Sequence, residues 1–137
     1  MPDSQLVHDW NALTDPGNGR VPLFNDETLR DGLQSPSVRD PEIPDKRDLL
    51  HRLAKLGVEA VDLGMPGAGP KALAAVKALM VEIRDHRLPI HPNAAVRTLE
   101  ADLIPLAEIQ QKVGVGLEAG AFLGSSAIRM DVEGWDV

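Results

Sequence analysis

The sequence predicts an α/β fold of about four parallel βα units, equivalent to the N-terminal half of a (β/α)8 barrel. Three observations carry this. Apolar runs with strand character begin near residues 21, 58, 90 and 115, and a helical pattern follows each. Single glycines, Gly57 and Gly114, stand where a helix must stop and a strand begin. Finally, 137 residues supply about half of the ~250 that an eight-stranded barrel takes. A βα repeat closes by right-handed crossovers into a parallel sheet, so no other sheet type fits as simply.

Residues 1–20 read as a leader, dense in turn formers at Asp15, Pro16, Gly17, Asn18 and Gly19, with Trp10 and Leu13 available to pack on the body. Residues 21–137 read as one partial barrel domain, cut short after its fourth strand. Its first strand is expected at 21–24, a short buried apolar run. A loop with prolines at 36, 41 and 44 follows; Asp45 is the expected N-cap of a helix over 46–56. Leu49, Leu53 and Leu56, broadened by Leu50, form its apolar stripe. The second strand spans 58–63. A helix over 70–85 opens on Pro70 and buries Leu73, Val76, Leu79, Met80 and Ile83. The third strand spans 90–96. Residues 99–113 are helical in pattern, with regular helix expected from about Ile104 because Pro105 interrupts the ladder. The fourth strand spans 115–123, and residues 128–137 open another helix.

The composition excludes several functions. Net charge is −7 and no run of Lys and Arg appears, which argues against a nucleic-acid groove. The chain lacks cysteine, hence disulfides and thiolate metal sites. The N-terminus has no secretory pattern and no stretch reaches the ~20 apolar residues of a membrane span. A soluble, cytoplasmic protein is expected. Aromatics are only 3%, so the core must rest on aliphatic side chains.

Chemistry concentrates at 25–34, Asn-Asp-Glu-Thr-Leu-Arg-Asp-Gly-Leu-Gln. Opposite charges massed where a strand ends are costly without partners. Read as local structure, Asp31 caps a helix and Asp-Gly makes a turn. Taken whole, the string resembles the first-strand signature of the DRE-TIM metallolyases, the HMGL-like superfamily of TIM barrels that condense or cleave acyl-CoA compounds. The stretch 95–98, Ala-Val-Arg-Thr, resembles the family's third-strand ending, and the run 122–129, Phe-Leu-Gly-Ser-Ser-Ala-Ile-Arg, resembles its members of the 2-isopropylmalate synthase type more than the lyases.

The resemblance implies a metal-assisted Claisen condensation of acetyl-CoA with a 2-oxoacid; the retro-Claisen lyase direction, as in hydroxymethylglutaryl-CoA lyase, is the alternative. It implies that Asp31 ligates a divalent cation (Mg, Mn or Zn) and that Arg30 stabilises the enolate oxygen. Asp62, in Asp-Leu-Gly-Met-Pro, stands where the family has a glutamate; a cap or a simple arginine partner is its other reading. Gln34, Arg97 and Ser125 are implied on the substrate side, with Arg97 open equally to a surface ion pair. The family's His-x-His pair is missing from this sequence, and its His-Thr before a phenylalanine is here Gly120-Ala121. His51 and His86 read as solvated helix residues, and His91 opens a strand at the end away from the site. With only part of the metal site, the chain would pair with a C-terminal half, form a homo-oligomer, or act as a non-catalytic half-barrel assembly module.

Overall fold

A computed structural model describes residues 21–135. The leader and its Trp10 and Leu13 lie outside the described residues. The chain divides into two compact units; the larger, residues 23–122, holds the sheet.

Within that unit four strands run parallel in the order β1 (Asn25–Asp26), β2 (Ala60–Asp62), β3 (His91–Val96) and β4 (Glu118–Ala121). The register aligns Asn25 with Ala60, Asp62 with Asn93, and Asn93 with Glu118. Between them lie α1 (Ile43–Leu56), α2 (Pro70–His86) and α3 (Glu100–Val113). This is the expected succession of βα units. Alternation along the strands gives the sheet two different faces. Val61 and Ala94, both fully buried, point into a core with Leu50, Leu53, Val76, Leu79, Met80, Ile83 and Ile109 of the helices. Asn25, Asp62, Asn93 and Glu118 fall on the other face, which is therefore polar.

The first strand differs from expectation. Val21, Leu23 and Phe24 are exposed, and the ladder is made by Asn25 and Asp26 instead. The Phe24 N–H donates to Glu59 Oε2 at 2.9 Å and its carbonyl accepts from the Ala60 N–H at 3.1 Å. An edge strand has one neighbour, and here a glutamate side chain takes the donor that a ladder would use. The fourth strand is likewise shorter than 115–123, leaving Phe122 and Leu123 exposed.

Both proline positions were harder to read than the glycines. Helix α1 starts at Ile43, with Glu42 rather than Asp45 at its N-cap, because Pro44 sits in the first turn where no N–H is needed. Helix α3 starts at Glu100, not near Ile104. The carbonyl that Pro105 leaves without a partner belongs to Ala101, an exposed residue that water can reach. Gly57 closes α1 in the left-handed region at φ 81°, and the Val58 N–H returns to the Leu53 carbonyl at 3.1 Å. The stripe of α1 is also rotated from expectation: Lys46, Leu50 and Leu53 are buried, while Leu56 is 78% exposed.

The smaller unit contributes α4 (Ala127–Glu133), begun by Ser126, whose hydroxyl accepts the Arg129 N–H at 3.2 Å. No helix among the described residues is long and apolar enough to cross a membrane.

Leu50→Ala should cost about 2–5 kcal/mol in urea unfolding, since a completely buried leucine leaves a cavity. Leu56→Ala should stay within about 0.5 kcal/mol of wild type in the same measurement.

Candidate active site at the ends of the first two strands

After β1 the chain turns at once. The Glu27 carbonyl accepts the N–H groups of Arg30 and Gly32, both at 3.1 Å, and Asp26 fixes the bend by accepting from the Thr28 N–H and hydroxyl at 3.0 Å. Leu29 is buried and anchors this loop to the core. Arg30 is consequently directed at the end of β2. Its Nε donates to Asp62 Oδ2 at 3.1 Å, its Nη1 to Asp31 Oδ1 at 3.2 Å, and its Nη2 to Glu27 Oε2. The Phe122 ring adds a cation–π contact, with Arg30 Cζ 5.7 Å from its centroid.

The surroundings of these groups are graded. The Arg30 and Asp62 side chains are 14% and 6% exposed, whereas that of Asp31 is 65% exposed. Desolvation pushes the Asp62 carboxyl above its usual range, while the Gly64 N–H at 3.0 Å and Arg30 pull it back. Burial works against the Arg30 charge, yet Asp62, Glu27 and Asp31 hold its pKa above the usual value. A guanidinium of this kind stays charged throughout the physiological range. Arg30, Asp31 and Asp62 are therefore brought together, and Glu27 joins them. That fourth residue was legible only as a neighbour in the polar string; its spacing of three from Arg30 was the available signal.

Asp31 occupies the N-cap position of a short 3-10 turn, Gly32–Gln34, but makes no side-chain capping bond. Its carboxylate faces solvent and Arg30 instead. Among the described residues, Glu27, Asp31 and Asp62 do not form a group with ligand atoms close enough to share a cation. Asp31 alone is too few donors for a divalent ion. The described residues thus do not by themselves fit the metal that the resemblance implies.

Gln34 and Arg30 line a cleft of about 430 Å³, together with Leu29, Leu63, Lys46 and Lys71. The two lysines are bridged by Asp40, at 2.7 Å from each ammonium. This charged wall carried no motif in the sequence, since Asp40, Lys46 and Lys71 come from a loop, α1 and α2.

Arg97 is placed differently. Its Nε and Nη2 donate to Asp102 Oδ2 and Oδ1, both at 2.7 Å, and its backbone N–H donates to Oδ2 at 2.9 Å. The ion-pair reading of Arg97 thus has a partner, a buried carboxylate in the first turn of α3. Asp102 was not foreseen. Gly67 offers the trace of it, since a Cβ there would lie 2.5 Å from Asp102 Oδ1. Ser125 is exposed and belongs to the smaller unit. His51 and His86 are not merely solvated: both ring Nε2 atoms approach Glu82.

The family model described as HMGL-like matches residues 22–134. Three relatives are each described as 2-isopropylmalate synthase. That of Heliobacterium modesticaldum is 43% identical over 65 residues, covering 47% of this chain and 12% of the relative. That of Listeria innocua is 32% identical over 108 residues, covering 79% of this chain and 20% of the relative. That of Acetivibrio thermocellus is 31% identical over 93 residues, covering 68% and 18%. The chain therefore spans no more than about a fifth of these relatives' length. No solved structure matches it.

The bonds from Arg97 hold the Asp102 carboxyl at about 2, below the 3.8 of a free aspartate. A depressed folded-state value stabilises the fold above about pH 4, and that contribution is lost as pH falls toward 2. The urea midpoint should accordingly drop over this window in wild type, and by less in Asp102→Asn.

Proposed function

The chain belongs to the HMGL-like family, and on that footing we propose that it carries part of the catalytic machinery of a 2-isopropylmalate synthase-type enzyme. The reaction is a Claisen condensation of acetyl-CoA with a 2-oxoacid, after which water cleaves the thioester of the adduct and releases CoA. The observation that supports it most directly is the half-buried Arg30 guanidinium, permanently charged and fixed by carboxylates from the ends of two adjacent strands.

Deprotonating the acetyl group places negative charge on the thioester oxygen, and attack on the ketone places it on a second oxygen. A preorganised cation lowers both barriers, because it need not reorient as the charge develops. Arg30 is the group for that task. Asp62, dry and hydrogen-bonded by Gly64, is the positioning residue that keeps the guanidinium in place. Asp62 is one methylene shorter than the family's glutamate, and in this chain that reach suffices to meet Arg30 at 3.1 Å.

The remaining roles follow by family resemblance. Asp31 would donate one ligand to a divalent cation, with the other donors coming from outside the described residues. Gln34, at the mouth of the charged cleft, would contact the substrate or the acyl-CoA. The Arg97 side chain stays 60% exposed beside its two side-chain bonds to Asp102, and would meet a substrate carboxylate with its remaining donors. Ser125 is assigned to substrate binding on the resemblance of 122–129 alone. Such an enzyme would work as a soluble, cytoplasmic protein, with the active unit completed by a further half-barrel or a second copy.

A purified sample containing this chain and its completing partner should release CoA from acetyl-CoA only when 2-oxoisovalerate is added. Arg30→Ala should lower kcat by about 100- to 1000-fold. Cleavage of a hydroxyacyl-CoA without any condensation would replace the synthase reading with the lyase.

A further inference from the structure

A second cluster of ligating groups lies on the outer helices, apart from the loops that carry Arg30 and Asp62. Helix α1 presents Arg47 and His51, and helix α2 presents Glu82 and His86; each pair is four residues apart and so shares a helix face. The two faces meet. His51 Nε2 lies 2.8 Å and His86 Nε2 3.2 Å from the same oxygen, Glu82 Oε1. The two rings are edge-to-face with centroids 5.0 Å apart. His86 is the last residue of α2, at the end of the sheet where β3 begins, opposite the candidate active site at the strand ends.

We propose that His51, Glu82 and His86 form a zinc(II) site. Two imidazole nitrogens and one carboxylate oxygen are a common three-ligand zinc set, with water completing a tetrahedron. Bonds of about 2.0–2.2 Å in that geometry put ligand atoms roughly 3.3–3.6 Å apart. The His86–Glu82 spacing of 3.2 Å is already close to this, and all three ligand atoms lie within 4.8 Å of one another. The His51–Glu82 contact of 2.8 Å would lengthen to this spacing as an ion enters between the ligands.

Two features distinguish the cluster from a chance meeting of surface side chains. The Glu82 side chain is only 13% exposed, so its carboxylate is largely stripped of competing water. Its other oxygen, Oε2, stands 3.2 Å from Arg47 Nε, an ion-pair contact that leaves Oε1 to the rings. The ligands also stand on helices locked by Leu50, Leu53, Leu79 and Ile83 in the core, so their backbone positions are set before an ion arrives. His86 is exposed, which leaves the fourth position open to solvent. The site is independent of the function proposed above.

The test is a zinc titration of the full chain by calorimetry after chelator treatment, paired with thermal melts. Wild type should take up zinc at this site with micromolar affinity and show a raised Tm. His51→Ala and His86→Ala should each weaken that binding by roughly tenfold or more and remove the Tm shift. Both side chains reach solvent, and circular dichroism verifies that the variants fold. Asp31→Asn should keep the binding, which separates this site from the candidate active site. No saturable uptake, or uptake unchanged in both histidine variants, would mean a hydrogen-bonded cluster only and would overturn the proposal.

Discussion

The pair between Arg30 and Asp62 is the constraint around which the polar end of the sheet is arranged. Neither charge is well hydrated, and without Arg30 the Asp62 carboxylate would be left buried and uncompensated. The β1–β2 ladder is short, with two residue pairs in register, so it alone gives the following loop little hold. Arg30 supplies the rest, joining that loop to the end of β2, while Leu29 ties the same turn into the aliphatic core. Glu27 and Asp31 then complete the coordination of the guanidinium. One arginine thereby fixes three acidic groups whose mutual repulsion would otherwise spread the loop.

A comparable arrangement recurs one unit further on. Arg97, after β3, clamps Asp102 with a two-pronged contact, and Gly67 lacks a side chain where that carboxylate packs. The loops after β2 and β3 are thus bound through α3's first turn. The ends of β1 and β2 share one arginine–aspartate contact and the end of β3 has another, while the neighbouring cleft is lined by Arg30, Gln34, Lys46, Lys71 and the Asp40 that bridges the two lysines.

Much of this was legible in the sequence because the periodicities are strong. The α2 stripe through Val76, Leu79, Met80 and Ile83 is buried as its spacing requires, although Leu73 at the first turn is half-exposed. Gly57 and Gly114 end α1 and α3 in left-handed conformations, as expected. The prolines misled, because Pro44 and Pro105 lie within helices whose other bonds outweigh the missing ones. Residues 21–24 misled because an apolar run does not reveal whether its strand lies at an edge. In the site, Arg30, Asp31 and Asp62 were readable from one string and one strand end. Glu82 with His51 and His86, and Asp102 with Arg97, were not, since α1 meeting α2 and the turn at Gly67 are properties of the packed chain.

The account's central claim is that Arg30 and Asp62 act as one unit. A double-mutant cycle with Arg30→Ala, Asp62→Ala and the double variant, read as urea unfolding free energies, tests it most directly. The account expects the double variant to be less destabilised than the sum of the singles by about 1–3 kcal/mol. Additivity to within about 0.5 kcal/mol would contradict it.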